Sequence, residues 1–226
     1  MTESALFCSV ELAHRIEAAE ASLIVAATEA ARARGAWGLS RPIAGGFVCA
    51  AEAGSPMNKV VGLGFGGPVE PAALDDVEQT LAGLGVAVQV ELSTLAEPGV
   101  GKLLTARGYR LVGFENVLGV ALPRPRPAVP PEGVEIRKGG DDDIDAWIDA
   151  VVDGFAHPDD EGVPSHEEFP RDIVERAERD FENAGAAAYL AMCDGVVAGG
   201  GSMRLTDGVA QLTGAATVPA FRRRGV

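Results

Sequence analysis

The pattern of apolar and polar positions is most regular in residues 132–226. Apolar and charged residues alternate over 133–139, which predicts a strand. Over 141–155 apolar residues recur every three or four positions behind a run of aspartates, which predicts a helix with acidic residues at its positive end. Residues 171–185 show the same helical spacing and predict a second helix.

Three apolar runs complete this half and predict three strands. Asp194-Gly195 separates the first run from the second, and Asp207-Gly208 separates the second from the third. Because Asp-Gly accepts the left-handed backbone of a tight turn, both pairs predict hairpins. The order of strand, two helices and antiparallel meander is typical of an α+β fold.

A second series of elements is predicted over residues 1–122. One apolar face with steps of three or four predicts a long helix that ends near Gly35. That face is formed by Leu12, Ile16, Ala19, Leu23 and Ala27. The pattern then predicts strands at 45–54 and 58–67, a helix at 71–85, a strand at 86–94, a short helix at 99–108, and a final strand at 109–122, either unbroken or interrupted near Glu115-Asn116.

Five prolines between residues 123 and 131 separate the two series. Proline lacks an amide donor and restricts the residue before it, so this segment cannot be a helix or a central strand. We therefore predict a first domain over 1–122, an extended proline-rich linker over 123–131, and a second domain over 132–226.

The chain carries 33 acidic and 19 basic side chains, which gives a formal net charge of -14. Such a surface repels phosphate, so no nucleic-acid partner is expected, although one local basic pocket is compatible with it. No apolar run is long enough to span a membrane, and the N-terminus lacks the pattern of a signal peptide. The three cysteines form no CxxC pair, so we expect reduced thiols in a cytoplasmic protein.

The basic turn over residues 217–226, "TVPAFRRRGV", is the most specific motif in the sequence. An apolar strand followed by such a turn resembles the acyl-CoA signature R/Q-x-x-G-x-G/A of the GNAT superfamily of N-acyltransferases. Arg222 matches its first position and Gly225 its fourth, and the sixth would be residue 227. The order of elements over 132–226 resembles the same family. A solvated basic tail is the alternative interpretation.

The resemblance implies an acyl-CoA, most simply acetyl-CoA, as co-substrate and no metal. Coenzyme A carries a pyrophosphate, which binds to main-chain N–H groups where a turn leads into a helix. Glycine lets the backbone approach phosphate, and arginine adds positive charge. The cofactor-binding residues implied by the resemblance are Ala216, Thr217, Val218, Arg222, Arg223, Arg224, Gly225 and Val226.

Residues 1–122 resemble a GNAT domain less closely. Their order of elements is similar, but Glu70, Asp75 and Asp76 stand where the basic glycine turn would be. Carboxylates there repel a pyrophosphate, so the resemblance implies a degenerate copy without cofactor. The expected fold is thus α+β, with two GNAT-like sandwich domains whose mixed, mostly antiparallel sheets are flanked by helices. An unrelated α+β domain over 1–122 is the alternative.

The activity implied is direct transfer of an acyl group to the amine of a small molecule or a protein. The amine must lose a proton, which requires a general base. Carboxylates in the loop between the two predicted helices are weak candidates, because each could equally be a solvated loop residue. They are Asp159, Asp160, Glu161, Glu167 and Glu168, and we take Glu161, Glu167 and Glu168 as the candidate catalytic residues.

A complete GNAT domain continues past the basic turn, and the family's general acid, often a tyrosine, lies in that continuation. We therefore expect the second domain to be incomplete, through a shortened or naturally truncated chain or through an assembly that covers its last strand. An uncovered strand edge invites pairing, so a homo-oligomer is expected. The alternative function is a non-catalytic acyl-CoA-binding, assembly or regulatory module.

Histidines in the same loop raise the question of a metal. His157 and His166 flank Asp159 and Glu161, which are ligand types that zinc accepts. Their spacing matches no established signature, so no metal site is expected.

Overall fold

The computed structural model describes residues 6–122, 129–158 and 168–226. Within these ranges the chain forms a three-stranded antiparallel sheet in its first half and a four-stranded antiparallel sheet in its second half. Helices pack against both sheets, which confirms the α+β class. None of the described helices has the length and apolarity that crossing a bilayer requires.

The first half begins with a long helix whose two ends are marked by the sequence. Ser9 Oγ accepts the N–H of Leu12 at 3.1 Å and caps the start. Gly35 follows the end with a φ of +100°, which favours glycine. The elements of this half are α1 (Val10–Ala33), β1 (Leu39–Ile43), β2 (Gly46–Ala50), β3 (Lys59–Val61), α2 (Pro71–Gly83) and α3 (Pro98–Ala106).

β1 is a strand that the hydrophobic pattern does not predict. It pairs antiparallel with β2 over its whole length. The turn between them uses Ala44 and Gly45, both with positive φ. Ala-Gly is an unusual tight-turn pair, and Pro42 argues against a strand except at a sheet edge, where β1 lies. These two features hide the hairpin from sequence analysis.

One predicted strand of the first half is shorter than expected, and another does not form. Of the strand predicted over 58–67, only β3 forms, because Gly62 turns out of the ladder with a φ of +68°. Residues 86–94 contribute one isolated parallel bridge, between Val60 and Val90. The first sheet is therefore smaller than the sequence pattern suggests.

The strand predicted over 109–122 is wrong. These residues are irregular, and their backbone forms no sheet ladder with the described part of the chain. A strand is stable only beside a neighbour that satisfies its N–H and C=O groups, and alternating apolar residues do not supply that neighbour. Large apolar side chains are left 66% to 91% exposed along the segment, namely Leu111, Val112, Phe114, Val117, Leu118, Val120 and Leu122.

The second half follows the sequence prediction closely. Asp194 and Asp207 open their hairpin turns with φ of 50° and 48°, which confirms both predicted hairpins. The sheet order is β4-β5-β6-β7, with every neighbouring pair antiparallel. The elements are β4 (Val134–Lys138), a 3₁₀ turn (Asp141–Asp143), α4 (Ile144–Ala156), α5 (Arg171–Asn183), β5 (Ala187–Cys193), β6 (Val196–Thr206), β7 (Val209–Thr217) and a second 3₁₀ turn (Pro219–Phe221).

The core of the second half lies between α4 and the four-stranded sheet. Trp147 and Val151 of α4 are almost fully buried and belong to one apolar cluster with Leu190 of β5. Burial of each such side chain stabilises the fold by about 1.5–3 kcal/mol. The cluster holds α4 on the sheet and so fixes its last turn beside the end of β7.

The two halves share an apolar contact through α1 and α5. Ala21, Ile24 and Ala27 of α1 lie in one buried cluster with Ala177 of α5. Small side chains let the two helices approach closely, because little volume separates their backbones. The first half therefore packs, through α1, against a helix of the second half.

An ion-pair network borders this contact. Arg34 donates from Nε to Asp180 Oδ1 at 3.0 Å and from Nη2 to Asp180 Oδ2 at 2.9 Å. Arg34 also pairs with Glu52, which accepts from Arg176 Nε at 3.1 Å.

The division into domains at 123–131 stays a prediction, and residues 123–128 of that linker lie outside the described residues.

Candidate functional site

The end of β7 is held on one side by β6. The N–H of Val218 donates to the carbonyl of Ala198 at 2.9 Å, so the pairing continues past the last residue of the strand. The other edge of β7 has no neighbouring strand among the described residues. Main-chain groups on that edge can therefore pair with an extended ligand.

Two glycines allow close packing around Ala216. A Cβ on Gly154 of α4 would lie 2.6 Å from Ala216 Cβ, and a Cβ on Gly199 of β6 would lie 2.7 Å from the Ala216 carbonyl oxygen. Neither distance is tolerable for a side-chain carbon. The glycines thus bring α4 and β6 into direct contact with the strand end.

The guanidinium of Arg222 points back to main-chain carbonyls. Its Nε donates to Thr217 at 3.3 Å, and its Nη2 donates to Gly154 at 3.2 Å and also to His157. These bonds fasten the turn to α4 and leave the Nη1 hydrogens without an acceptor among the described residues. A direct contact of Arg222 with pyrophosphate stays a prediction.

The remaining residues of the turn have an unusual backbone. Arg223 and Gly225 have φ of 62° and 86°, so left-handed residues alternate along the turn. Arg224 lies over the ring of Phe221, with 5.5 Å between its Cζ and the ring centroid. Such turns direct successive N–H groups towards one side, which is how main-chain anion sites form.

Gly225 also makes a close contact with the linker. A Cβ at this position would lie 2.7 Å from Cγ of Pro131. Val226 lies next to the strand end, where its carbonyl accepts from Thr217 Oγ1 at 3.5 Å. Glycine is thus required here by its φ and by Pro131, and its predicted role of admitting phosphate stays untested.

A shallow cleft of about 450 Å³ opens beside Val218. Its charged lining consists of Asp149 and Asp153 on α4 and Arg171 at the start of α5. Arg171 Nη2 donates to Asp149 at 3.1 Å, whereas Asp153 lies 3.4 Å from Nδ1 of His157. With two carboxylates and one guanidinium, the charged lining is negative by one unit, which suits a cationic amine because opposite charges attract.

Sequence analysis missed these two aspartates as site residues. They are four residues apart and therefore lie on the same side of α4. The spacing of four residues is visible in the sequence and predicts that the two carboxylates share a helix face. It does not distinguish them from other acidic residues on a helix surface, which are common in a chain with net charge -14.

The predicted catalytic residues are only partly described. Glu168 is exposed and lies three residues before α5 begins. Glu161 and Glu167 lie outside the described residues, as do Asp159, Asp160 and His166. No group of three or more possible metal ligands occurs in residues 6–122, 129–158 and 168–226.

Two of the three carboxylates that replace a basic turn in the first half take part in ion pairs. Asp75 pairs with Arg107, and Asp76 Oδ2 lies 2.8 Å from Arg41 Nη2. Glu70 precedes α2 and makes no capping hydrogen bond through its side chain. The start of α2 thus carries no arginine or lysine, in contrast to the turn after β7.

No protein-family model matches the chain, and no curated protein matches it. Among solved structures, the chain is similar to a GCN5-related N-acetyltransferase from Kribbella flavida, with a TM-score of 0.57 and 20% sequence identity. The similarity covers 91% of this chain and 75% of that chain. At this identity the comparison shows the fold, which is that of a GCN5-related N-acetyltransferase and agrees with the resemblance drawn from the basic turn.

Proposed function

We propose that the protein is an N-acyltransferase that moves an acyl group, most simply acetyl, from acyl-CoA to an amine. The observation that carries this proposal is that β7, a strand with one open edge, leads directly into a turn that contains three arginines. Two residues of that turn, Arg223 and Gly225, have a left-handed backbone. The shared fold supports it.

The proposed acyl-CoA site has two parts. Ala216, Thr217 and Val218 line the path of the pantetheine arm along the end of β7. Because the N–H of Val218 is bonded to β6, the alternation of an antiparallel strand leaves the N–H of Thr217 on the open edge for that arm. The turn from Arg222 to Val226, which includes Arg223, Arg224 and Gly225, receives the pyrophosphate through main-chain N–H groups and positive charge. No metal is needed for either part.

The proposed acceptor is an amine on a small molecule or a protein, bound next to Asp149 and Asp153. One of the candidate carboxylates, Glu161, Glu167 or Glu168, takes the proton of the ammonium form, directly or through water. The amine nitrogen then forms a bond to the thioester carbon while the carbon–sulfur bond breaks. The thiolate of coenzyme A leaves and takes up the proton that the nitrogen loses as the amide forms.

The proposed compartment is the cytoplasm. Cys8, Cys49 and Cys193 are all unpaired, and burial raises the pKa of the Cys49 thiol to about 11. Unpaired and partly buried thiols persist in a reducing compartment. A homo-oligomer also stays part of the proposal.

A non-catalytic assembly module is the second candidate, and one observation favours it. The exposed apolar side chains of residues 111–122 form a surface of the kind that binds another chain. In that case acyl-CoA binding would serve assembly or regulation, and no acyl group would be transferred.

The experiment that separates the two candidates is a thiol-release assay with acetyl-CoA and a panel of small amines and amine-bearing peptides. Release that depends on one amine, together with an acylated product of the expected mass, supports the enzyme. Binding of acetyl-CoA without release for any amine supports the module. Asp149→Asn and Asp153→Asn should raise the KM for a cationic amine, and Asp207→Asn on a distant hairpin is the matched control.

A further inference from the structure

A buried carboxyl lies beneath β7 and has no role in the site described above. Glu178 of α5 is 6% exposed, and its Oε2 has no hydrogen-bond partner among the described residues. Burial raises the pKa of this carboxyl to about 7. A buried polar atom without a partner costs free energy, so its presence calls for an explanation.

The carboxyl contacts the irregular part of the β6–β7 pairing. Gly200 pairs with Ala216, and Ser202 pairs with Thr213. Between these two pairs β6 has one residue and β7 has two, so β7 carries one extra residue. The extra residue forms a β-bulge, which leaves one residue without a ladder partner. Gly214 lies in this bulge and has a φ of 57°.

Glu178 packs directly on the bulge. A Cβ at Gly214 would lie 3.0 Å from Glu178 Oε2 and 3.4 Å from Oε1. The same position lies 3.4 Å from Ser202 Oγ, which donates to the carbonyl of Thr213 at 3.1 Å. The carboxyl, the bulge and the hydroxyl therefore form one packed unit.

The bulge is only two residues from the strand end assigned to acyl-CoA. Gly214 is followed by Ala215 and then by Ala216, which is enclosed by α4 and β6. A bulge sets the local bend and twist of its strand. A change at Gly214 is therefore transmitted to the main-chain groups of Ala216.

We propose that Glu178 is a positioning residue whose protonation state sets the geometry of the β7 bulge and thereby the fit of the strand end to acyl-CoA. The neutral carboxyl packs against Gly214 without an uncompensated charge. The ionised carboxyl attracts N–H groups of the bulge, because no cation in the described part of the chain pairs with it. This inference rests on the proposed function for its effect on acyl-CoA, but not for the link between Glu178 and Gly214.

Charged groups on the neighbouring elements do not set the pKa of the Glu178 carboxyl, because burial alone raises it. Those that face α5 or β7 are held by other partners, and β7 itself carries no charged residue. They include Glu20 of α1 with Gln211, Arg34 at the end of α1 with Asp180, Glu52 with Arg176, Asp145 and Asp149 of α4 with Arg179 and Arg171, Arg204 of β6 with Ser22 and Ala184, and Arg222 with Thr217 and Gly154.

The first test follows the carboxyl carbons of glutamate and the main-chain amides by NMR between pH 5 and 9. We expect Glu178 to titrate near pH 7, and the amides of Gly214 and Ala216 to shift with the same midpoint. Glu178→Gln should abolish the amide shifts, whereas Glu182→Gln, one turn later in the same helix, should retain them. Amides that do not follow the carboxyl, or a carboxyl that does not titrate in this range, would overturn the inference. The wild-type titration decides this even if Glu178→Gln fails to fold.

The second test measures acetyl-CoA binding by wild type, Glu178→Gln and Glu182→Gln at pH 6 and pH 8. We expect the affinity of wild type and Glu182→Gln to change by about fivefold or more between the two values, and that of Glu178→Gln to stay constant. Equal wild-type affinity at both values would overturn the positioning role. Absence of acetyl-CoA binding at both pH 6 and pH 8 would contradict the proposed acyl-CoA site and with it the positioning role. In that case the NMR titration still tests the link between Glu178 and Gly214.

Discussion

Arg222 Nη2 donates to the main-chain carbonyl of Gly154 at 3.2 Å, which fastens the basic turn after β7 to the last turn of α4. The same guanidinium donates to the carbonyl of Thr217 at the end of the strand. Helix, strand end and turn are therefore one unit. Arg222, which the sequence predicts to bind phosphate, thus also stabilises the fold through its bonds to main-chain carbonyls.

Replacing Arg222 should destabilise the protein even without acyl-CoA. Arg222→Ala removes hydrogen bonds from a charged donor to three carbonyls, so we expect the free energy of unfolding to fall by about 1–2 kcal/mol. Urea denaturation measures this fall. Arg110→Ala, on an exposed arginine without a partner among the described residues, should change it by less than about 0.5 kcal/mol. Equal stability of the two variants would show that the Arg222 bonds are not formed.

A methyl group on Gly154 should harm both stability and acyl-CoA binding. Glycine to alanine in a helix normally stabilises by about 1 kcal/mol. At Gly154, however, the new Cβ would lie 2.6 Å from Ala216 Cβ and would push the strand end away. We expect Gly154→Ala to lower the thermal midpoint and to weaken acetyl-CoA binding.

Gly83→Ala is the matched control for this substitution. Gly83 is the last residue of α2, and a Cβ there would meet no atom within 4 Å. Its thermal midpoint should stay equal or rise. A Gly154→Ala variant that is as stable as Gly83→Ala would contradict the close approach of α4 and β7.

The ion pair between the halves should be needed for stability. Asp180 is 1% exposed, and its carboxylate accepts three hydrogen bonds from Nε and Nη2 of Arg34. Arg34→Ala leaves this carboxylate buried and unpaired, so we expect a loss of about 3 kcal/mol in urea denaturation. Arg32→Ala removes only an exposed pair with Glu29 and should cost well under 1 kcal/mol.

The double variant Arg34→Met/Asp180→Leu provides the internal check on that prediction. It removes the buried charge together with its partner, so it should recover much of the stability lost in Arg34→Ala. No recovery would indicate that Arg34 acts through packing instead of charge.

Glu178 should make the stability depend on pH in a defined direction. Its pKa rises from 4.5 to about 7 on folding, so the folded state favours the neutral acid. The resulting stability is fully present below pH 4.5 and is lost as the pH rises through about 7. The difference in free energy of unfolding between wild type and Glu178→Gln should fall by about 3 kcal/mol over this range and then stay flat. A difference that is constant with pH would contradict the raised pKa.

Sequence analysis was most successful where local signals and pairing agree. The Asp-Gly turns at Asp194 and Asp207 specify hairpins by themselves, because their backbone conformation is local. The helical spacing around Trp147 likewise identifies a helix and the face that it buries. These signals sufficed to predict the elements of the second half.

The first half shows what local signals cannot supply. Residues 109–122 have the alternation of a strand, but a strand depends on a partner that the alternation does not specify. Conversely, β1 contains Pro42 and turns through Ala44, yet β2 supplies the partner that makes it a strand. Whether such segments pair is decided by tertiary contacts.

The candidate site was also only partly predictable. The charge and position of the basic turn are visible in the sequence, whereas the inward bonds of Arg222 depend on where α4 ends. Glu178 looks like an ordinary helix-surface glutamate, because nothing nearby in the sequence shows that the bulge at Gly214 will cover it. Burial arises from the packing of distant segments.

The most direct test of the proposed acyl-CoA site is calorimetric titration of acetyl-CoA into the wild-type protein and Arg224→Glu, with Arg110→Glu as the charge-matched control. We predict binding at one site in wild type, unchanged binding in Arg110→Glu, and affinity at least about tenfold weaker in Arg224→Glu, a loss of about 1.4 kcal/mol. Absence of binding by the wild-type protein, or equal affinity in both variants, would contradict the assignment of the turn after β7 as the acyl-CoA site.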